Sequence, residues 1–377
     1  MTPDAGSAAA AARDRRLMGA ALMLARSNLG LTSPNPSVGC VIVRSGKIVG
    51  RGATAPGGRP HAEVIALAQA GGRARGATAY VTLEPCAHRG QTPPCARALA
   101  LAGLARVVIG CLDRYPAVRG RGAAILRRAG IEVTTGMLED ECVRVCEGFF
   151  VRVTRRRPLG LLKLAISLDG RIAAASGDSK WISSPQSRAI AHRWRRECDA
   201  VIVGAGTVLA DDPRLTCRIE GGRDPVRVIV DARLRISPDA RVLRERSAAG
   251  AIIVTTKANL ARARRRYAGS RIEVMGVPSR GRGAIDLAAM MREFGHRGWN
   301  QVMFEGGAHL AAAALEAGII DRVAFFIAPK IVGAGLAAIE GLATRQIRDA
   351  IALGGLTVRP VGSDLLVEGR VLPRRRS

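Results

Sequence analysis

Three residues in the first third of the chain have side chains and a spacing that suit zinc binding. His61 begins a predicted helix, Cys86 follows Pro85, and Cys95 comes after eight intervening residues, at or just before the next predicted helix. One imidazole and two thiolates hold Zn²⁺ and leave a fourth position open for water, which is the ligand set of a catalytic zinc site. Zinc lowers the pKa of bound water toward ~7, so hydroxide becomes available at neutral pH. We therefore predict that His61, Cys86 and Cys95 are metal ligands.

Glu63, two residues after His61, is the predicted acid–base group of this site. A carboxylate there is too close to His61 to serve comfortably as a further ligand, but it can take a proton from the water and deliver it to a leaving amine. Zinc-dependent nucleobase deaminases combine His-x-Glu with Pro-Cys-x-x-Cys, and the interval between the cysteines is longer here. The alternative is a histidine and two cysteines that merely pack. It is less favoured because ligand types, order, the intervening Glu and the flanking proline all agree.

The elements that must position these residues alternate between helix and strand. Apolar spacing predicts a helix over 13–29, and residues 38–43 and 48–52 predict a β-hairpin. Residues 1–12 are interpreted as a frayed tail. The remaining elements predicted in this half are helices over 61–70, 95–102 and 122–129 and strands over 79–83, 107–110 and 131–134. The alternation predicts an α/β layer structure with a mixed sheet.

A basic stretch that ends in Pro158 marks the predicted boundary between two domains. A chain of 377 residues is long for one domain, and we predict domains over 13–150 and 158–372. A second α/β series follows the boundary. Its predicted strands are 161–166, 200–203, 226–230, 251–254, 272–275, 301–304 and 322–327, and its predicted helices include 185–196, 285–294 and 308–317. Residues 373–377 form a short basic tail.

The composition is that of a globular protein with a large excess of positive charge. Hydrophobic residues make up 48% of the chain and aromatic residues 3%, which argues against long disorder and against an aromatic platform for stacking bases. The formal net charge of +27 comes almost entirely from arginine. It indicates either a phosphate-rich partner or arginines dispersed over the surface, and we favour the second because the clusters are short. Small phosphorylated ligands also suit a chain with this positive charge.

Cysteine usage and hydropathy predict a cytoplasmic protein. The eight cysteines are irregularly spaced and do not form a disulfide scaffold, and we recognise no signal peptide. No uncharged apolar run reaches the ~18 residues of a membrane span. We therefore expect a soluble chain with no membrane partner.

Two segments of the first half resemble a known enzyme family. They are Thr32-Ser-Pro-Asn-Pro-Ser-Val-Gly-Cys-Val-Ile-Val43 and Cys86-Ala-His-Arg-Gly-Gln-Thr-Pro-Pro-Cys95, and together they resemble the deaminase half of the bifunctional riboflavin-biosynthesis deaminase/reductases, the RibD family. The resemblance implies a cytidine-deaminase-like three-layer domain in which Asn35 hydrogen-bonds to the pyrimidine; a plain turn is the alternative for Asn35. The chain departs from the family pattern at Ala87, Gln91 and Arg114-Tyr115, which concerns phosphate and ring recognition and not the zinc chemistry.

The second half resembles the reductase half of the same family and implies a dihydrofolate-reductase-like domain. The matching segments are Lys163-Leu-Ala-Ile-Ser-Leu-Asp-Gly170, Ser179-Lys-Trp-Ile-Ser183, Gly204-Ala-Gly-Thr-Val-Leu-Ala-Asp-Asp-Pro213 and Phe304-Glu-Gly-Gly307. Position by position, the resemblance implies NADPH contacts from Ala165, Trp181, Thr207, Asp211 and Gly307, and contacts to the ribosyl phosphate substrate from Ser179, Arg195, Leu215, Arg218 and Glu305. Lys163 and Glu305 are candidates for polarising or protonating the sugar imine while hydride arrives from the nicotinamide. His192, His296 and His309 are interpreted as surface or packing residues.

The resemblance implies a bifunctional enzyme with Zn²⁺ and NADPH as cofactors. It would deaminate 2,5-diamino-6-(5-phosphoribosylamino)pyrimidin-4-one by hydrolysis and then reduce the ribosyl group to a ribityl chain. Its partner is then a small phosphorylated pyrimidine, with no nucleic acid expected, and a homo-oligomer is left open.

Two alternative functions stay open. A deaminase acting on nucleic acid would use the positive charge but has little use for the second half; a noncatalytic zinc-stapled binding protein would not need Glu63.

Overall fold

A computed structural model of the chain describes residues 5–88, 93–116, 118–281 and 283–373. The chain divides into two compact units, Met1–Arg156 and Arg157–Ser377. Gln91 and the end of the basic tail, residues 374–377, lie outside the described residues. Within those ranges, no helix is both long enough and apolar enough to cross a bilayer.

The first unit alternates helices and strands in the order expected from the sequence. Its elements are α1 (Ala5–Ser27), β1 (Gly39–Arg44), β2 (Lys47–Ala53), α2 (Ala62–Ala70), β3 (Thr78–Leu83), α3 (Cys95–Leu101), β4 (Arg106–Cys111), α4 (Arg121–Arg128), β5 (Glu132–Thr135) and α5 (Glu139–Arg155). Because α1 already includes residues 5–12, the interpretation of that part of the chain as a frayed tail is wrong. Its run of alanines has the highest intrinsic helix propensity, which extends the helix without requiring burial.

One mixed five-stranded sheet forms the centre of the first unit, in the order β2-β1-β3-β4-β5. β1 pairs antiparallel with β2 and β3, whereas β3, β4 and β5 run parallel. The successive residues Cys40, Val41, Ile42 and Val43 of β1 are all buried, which requires a covering layer on each face of the sheet. α1 and α5 contact each other, and α3 contacts both α2 and α4. The expected three-layer α/β fold is therefore confirmed.

Two glycines of β2 let helix α2 lie directly on the sheet. A Cβ atom added to Gly52 would lie 2.1 Å from the carbonyl oxygen of Ala62, and one added to Gly50 would lie 2.2 Å from the carbonyl oxygen of Ala66. Only glycine permits such an approach of two backbones. The first turn of α2, which carries Glu63, is thereby fixed against the sheet.

The second unit is a longer α/β series. Its elements are β6 (Leu159–Ser167), β7 (Arg171–Ala173), α6 (Pro185–Glu197), β8 (Ala200–Gly204), α7 (Ala205–Asp211), β9 (Val226–Val230), α8 (Arg241–Arg244), β10 (Ala251–Thr256), α9 (Leu260–Arg266), β11 (Ile272–Val277), β12 (Ser279–Arg280), β13 (Ala284–Ile285), α10 (Leu287–His296), β14 (Gln301–Glu305), α11 (Ala308–Glu316), β15 (Arg322–Ala328), β16 (Leu336–Ala337), β17 (Leu353–Val361) and β18 (Asp364–Val371).

Nine strands of the second unit form one sheet, in the order β11-β10-β9-β8-β14-β6-β15-β18-β17. The first seven strands in this order, from β11 through β6 to β15, run parallel. The last two, β18 and β17, add antiparallel after β15. This arrangement brings the ends of β6, β8 and β14, which lie far apart in the sequence, to one edge of the sheet. Ligand sites of α/β proteins form at the carboxyl ends of parallel strands.

The sequence reasoning did not find the C-terminal hairpin of β17 and β18. Most of β17 is exposed, and its exposed face mixes Leu356 and Val358 with polar residues and Pro360. Gly354, Gly355 and Pro360 are residue types that are depleted in strands, and they conceal the short apolar–polar alternation between them. Cys142 and Cys146 of α5 are buried and form no disulfide.

Candidate active sites

Three predicted metal ligands of the first unit converge. His61 is the N-cap residue of α2, Cys86 lies in the loop after β3, and Cys95 is the first residue of α3. One nitrogen of His61 and the two Sγ atoms all lie within 4.8 Å of one another. Residues that are separated by 34 positions in the sequence therefore meet because α2 and α3 both begin at the same place beside the sheet.

The geometry of this cluster fits a zinc ion. The Nδ1 atom of His61 lies 3.3 Å from Cys95 Sγ and 3.8 Å from Cys86 Sγ. Tetrahedral zinc with ordinary Zn–N and Zn–S lengths holds such atoms about 3.6 Å apart. The thiol of Cys95 hydrogen-bonds to Cys86, and the backbone N–H of Cys95 also donates to Cys86 Sγ at 3.2 Å. Together with His61, these hydrogen bonds lower the pKa of Cys86 to about 4, so this sulfur is prepared to bind a metal as the thiolate.

Glu63 is buried beside the cluster, with 4% of its surface exposed. Burial, together with the negative charge of Cys86, raises the pKa of the carboxyl to about 7. Its side chain hydrogen-bonds to the side chain of Cys95. A carboxyl group whose pKa lies near neutrality both accepts and gives up a proton readily at physiological pH, which is the property that an acid–base catalyst requires.

Glu84 is a residue of this site that the sequence reasoning missed. Its buried carboxylate accepts hydrogen bonds from the backbone N–H groups of Asp113 at 3.2 Å, Gly120 at 2.9 Å and Ala123 at 3.1 Å. These bonds tie the residues just before Cys86 to the start of α4. The available signal was an acidic residue directly after the strand Thr78–Leu83 and immediately before Pro85-Cys86.

Asn35 lies in a loop that contacts the segment preceding His61. Its Nδ2 donates to the carbonyl oxygen of Gly58 at 2.7 Å, and Thr32 Oγ1 donates to the carbonyl oxygen of Asn35 at 3.0 Å. From α5, Arg152 donates to the carbonyl oxygen of Pro34 at 2.5 Å. The loop is therefore held in place by hydrogen bonds, and the amide nitrogen of Asn35 takes part in them.

Lys163, Arg195 and Glu305 form the charged centre of the second unit. Lys163 and Glu305 are register partners on the neighbouring parallel strands β6 and β14, with Lys163 Nζ 3.7 Å from Glu305 Oε2. Arg195, which reaches in from α6, donates from Nε to Glu305 Oε1 at 2.6 Å and from Nη2 to Oε2 at 2.9 Å. Such two-point pairing fixes both charges in place.

The charges set the protonation of this centre. Burial opposes ionisation of Glu305, but the positive charges of Arg195 and Lys163 outweigh it and lower the pKa of the carboxyl to about 2. Burial lowers the pKa of Lys163, and Glu305 opposes that shift. Glu305 is therefore ionised at neutral pH, whereas Lys163 gives up its proton more readily than an exposed lysine does.

We expect the second unit to lose stability in acid because of Glu305. Its folded pKa of about 2 lies below its ordinary value of 4.5, so its contribution is complete above about pH 4.5 and disappears as the pH falls toward 2. The shift corresponds to roughly 3 kcal/mol. All tryptophans lie in this unit, so urea unfolding followed by tryptophan fluorescence measures it. The free energy of unfolding should decrease less between about pH 5 and about pH 3 in Glu305→Gln than in the parent chain. Equal losses would contradict the assignment.

Two glycines after β14 form a cradle of backbone groups. Gly306 and Gly307 have φ angles of 73° and 80°, and Gly307 is the N-cap of α11. A Cβ atom on Gly307 would lie 3.0 Å from Thr207 Oγ1, and one on Gly306 would lie 3.4 Å from Thr207 Cγ2. Glycines that bring backbone amides to a helix N-terminus suit the pyrophosphate of a dinucleotide, so this cradle fits NADPH.

Other residues expected around NADPH lie on nearby elements. Ser179 Oγ donates to Asp211 Oδ1 at 3.2 Å, which joins two of the predicted residues. Ala165 lies two residues beyond Lys163 on β6. Trp181 is 60% exposed and has the guanidinium of Arg188 4.4 Å from its ring centroid. With that exposure, Trp181 is not part of the hydrophobic core.

Leu215 and Arg218 lie in the loop after α7. Both have positive φ angles, 58° and 55°, which are unusual for residues other than glycine. Leu215 is buried. Burial and the charges of Arg195 and Arg214 lower the pKa of Arg218. Arg214 and Arg218 of this loop lie near Arg195 of α6, and Arg218 is the one of the three for which no carboxylate partner is found among the described residues, which favours binding of an anion there.

The fold and the His-Cys-Cys cluster with its adjacent glutamate define the class of the first unit as a cytidine-deaminase-type zinc domain. Family models agree with that class. Residues 11–111 match the cytidine and deoxycytidylate deaminase zinc-binding region, and residues 158–367 match the RibD C-terminal domain.

Whole-chain relatives identify the family. The chain is 42% identical to riboflavin biosynthesis protein RibD of Aquifex aeolicus over 94% of this chain and 97% of the relative, and 40% identical to that of Escherichia coli K12 over 94% and 98%. A crystal structure of a diaminohydroxyphosphoribosylaminopyrimidine deaminase/5-amino-6-(5-phosphoribosylamino)uracil reductase from Thermotoga maritima superposes with a TM-score of 0.84 at 36% identity and covers 96% of this chain and 99% of that one. A RibD structure from Acinetobacter baumannii gives a TM-score of 0.82 at 36% identity over 96% and 100%. The chain belongs to the RibD family of riboflavin biosynthesis proteins and carries both its deaminase and its reductase domain.

Proposed function

We propose that the chain catalyses two successive reactions on one phosphorylated pyrimidine. The first unit removes an amino group from 2,5-diamino-6-(5-phosphoribosylamino)pyrimidin-4-one by hydrolysis, and the second reduces the ribosyl group of the product to a ribityl chain with NADPH. The observation that carries the proposal is the convergence of His61, Cys86 and Cys95 within 4.8 Å beside the buried Glu63. The reaction names of the Thermotoga maritima relative support the choice of substrate.

In the first unit His61 Nδ1 and the sulfurs of Cys86 and Cys95 are proposed to hold zinc. Zinc, when bound, supplies a Lewis acid that makes water a stronger acid. Glu63 takes a proton from the attacking water while the water oxygen bonds to the ring carbon. Glu63 then gives a proton to the amino nitrogen as the C–N bond breaks and ammonia leaves. We assign Asn35 to binding of the pyrimidine, on a loop that hydrogen bonds hold close to the segment preceding His61.

In the second unit Lys163 is the proposed proton donor. NADPH supplies the hydride for the sugar carbon of the imine. Lys163 donates a proton to the imine nitrogen, so that the C=N bond becomes an amine, and its lowered pKa favours that transfer. Glu305 stays ionised at neutral pH, and we therefore assign it to holding Arg195 and Lys163 in place and to contacting the substrate.

The remaining assignments follow the two parts of the reductase centre. We assign the NADPH contacts to Ala165, Trp181, Thr207, Asp211 and Gly307, and the substrate contacts to Ser179, Arg195, Leu215, Arg218 and Glu305. The glycine cradle beside Thr207 supports the first set. The arginines around Arg218 support the second, because a planar guanidinium pairs well with a phosphate monoester.

Turnover with the full substrate tests the proposal. With zinc and NADPH present, the purified chain should release ammonia and oxidise NADPH in equal amounts. Ammonia release is followed by a coupled assay and NADPH by its absorbance. The absence of both signals would reject the proposal, and deamination of a hairpin RNA in place of the small pyrimidine would favour a nucleic-acid deaminase.

Metal removal should separate the two activities. After dialysis against a chelator we expect ammonia release to fall to background, because hydrolysis requires the metal. NADPH oxidation with the already deaminated substrate should stay within about twofold, because the residues assigned to that reaction are not zinc ligands. Adding back Zn²⁺ should restore ammonia release. Retention of deamination in metal-free protein would contradict the zinc assignment.

A further inference from the structure

Two side chains of helix α6 converge on a single backbone carbonyl of the loop that follows α7. Nδ1 of His192 lies 3.3 Å from the carbonyl oxygen of Thr216, and Nη1 of Arg195 donates to the same oxygen at 3.0 Å. Because a carbonyl oxygen only accepts, Nδ1 carries the proton when this hydrogen bond forms. The interpretation of His192 as a surface or packing residue therefore overlooked a polar contact with the loop.

The loop held by this carbonyl has an unusual backbone. Asp212, Leu215 and Arg218 have φ angles of 40°, 58° and 55°. Residues other than glycine adopt such angles at an energetic cost, and only where their surroundings enforce them. Here the surroundings include the buried Leu215 side chain and the hydrogen bond from the N–H of Cys217 to Asp224 Oδ1 at 2.7 Å. Thr216 lies between two of these residues, Leu215 and Arg218, so the contacts from α6 to its carbonyl are made within this part of the loop.

The electrostatics of the loop favour an anion and a neutral His192. Partial burial and the charges of Arg195 and Arg214 lower the pKa of Arg218. Arg195 is paired with Glu305, and Arg214 Nε lies 3.5 Å from Glu245 Oε2, so an anion beside Arg218 would relieve the repulsion that remains. Burial and the charges of Arg195 and Arg218 likewise lower the pKa of His192. A neutral imidazole donates to the Thr216 carbonyl without adding a further positive charge to the cluster.

The donors of Arg195 show why a second group is needed. Three of its five N–H groups are committed, two to Glu305 and one to Thr216. Arg195 is therefore shared between the charged centre and the loop. Among the hydrogen bonds of the described residues, His192 contributes one to the loop, at Thr216, and none to Glu305.

We propose that His192 is a positioning residue of the reductase. By donating to the Thr216 carbonyl it holds the loop in the conformation that presents Arg218 to the phosphate of the substrate. The inference rests on the proposed function, since it concerns how the same centre recognises its phosphorylated substrate. His192 itself does not contact the reacting atoms in this proposal.

Two substitutions of His192 test the role. His192→Phe keeps a planar ring but removes the donor, whereas His192→Asn retains an N–H donor at about the position of Nδ1. We expect His192→Phe to raise KM for the deaminated phosphoribosyl substrate about fivefold, with kcat and the KM for NADPH within about twofold, because one hydrogen bond is worth on the order of 1 kcal/mol. His192→Asn should recover most of the loss. His296→Phe on α10, with 72% of its side chain exposed, is the matched control.

A comparison of substrates separates positioning from a general structural role. The KM increase in His192→Phe should largely disappear with the dephosphorylated substrate, and deamination by the first unit should be unchanged. Equal effects on both substrates, a failure of His192→Asn to recover, or no effect of His192→Phe would each overturn the inference.

A binding measurement distinguishes this inference from the proposed function. Ribose 5-phosphate should raise the Tm of the parent chain, and this rise should be smaller in His192→Phe and restored in His192→Asn. If the parent chain oxidises no NADPH but shows this pattern, the proposed reaction fails and the loop assignment stands. If the parent chain turns over and the rise is the same in all variants, the inference fails and the proposed function stands.

Discussion

Glu63→Gln should abolish deamination while the chain keeps its zinc. The substituted amide would have nearly the same shape as the carboxylate but could not take a proton from water, and general acid–base groups contribute about 10²–10⁴-fold to rate. We therefore expect ammonia release to fall by about 10³-fold. Burial of a neutral amide at this position is less costly than burial of a carboxylate, so folding should be retained. Ammonia release and zinc content are measured on the same preparation.

The other unit and an exposed carboxylate provide the controls for this variant. NADPH oxidation with the deaminated substrate should be unchanged in Glu63→Gln, since it depends on the second unit. Glu141→Gln on α5, whose side chain is 42% exposed, should leave both activities intact. Loss of zinc or of the fold in Glu63→Gln would show that Glu63 has a structural role and that the proton-transfer role is wrong.

Lys163→Met should abolish reduction while deamination continues. Methionine fills a similar volume but has no proton to donate, and we expect NADPH oxidation to fall by about 10²–10⁴-fold. Lys163→Arg keeps the positive charge beside Glu305 but holds its proton too tightly to release it, because the pKa of arginine exceeds about 12. It should therefore remain strongly impaired. NADPH oxidation with the deaminated substrate is the measurement.

A second lysine of the same unit controls for this substitution. Lys257 is exposed and directly follows β10. The variant Lys257→Met should therefore reduce the substrate at the parent rate. Ammonia release from the diamino substrate checks that the first unit is intact. If Lys163→Met oxidised NADPH within about threefold of the parent chain, the proton would have to come from another group.

The two candidate sites show how neighbouring charges decide the chemistry of a buried carboxyl group. Glu63 has the negative charge of Cys86 nearby, and burial raises its pKa to about 7. Glu305 is also buried, but Arg195 and Lys163 lower its pKa to about 2. The same side chain is therefore suited to proton transfer in one unit and to fixed electrostatic support in the other.

Much of the fold was predictable from the sequence because its core elements are periodic and well bounded. The strand of residues 38–43 and its hairpin partner, and the helices that begin near His61 and Cys95, were all expected from local pattern. The hairpin of β17 and β18 was not, since Gly354, Gly355 and Pro360 in β17 are residue types that disfavour a strand. The helical start of α1 was missed because an alanine-rich segment shows no amphipathic pattern, and residues 8–12 are exposed.

The sequence by itself determined the ligand types of the zinc site, the presence of Glu63 beside them and the order of the reductase motifs, because these depend on which side chains occur and at what spacing. Only the tertiary structure decided which partners each side chain meets. Glu84 binds three backbone N–H groups from the loop after β4 and from α4, and His192 meets Thr216 of a loop 24 residues away. Contacts between residues far apart in the chain depend on how the sheet and helices pack, and that information is not present in any local stretch of sequence.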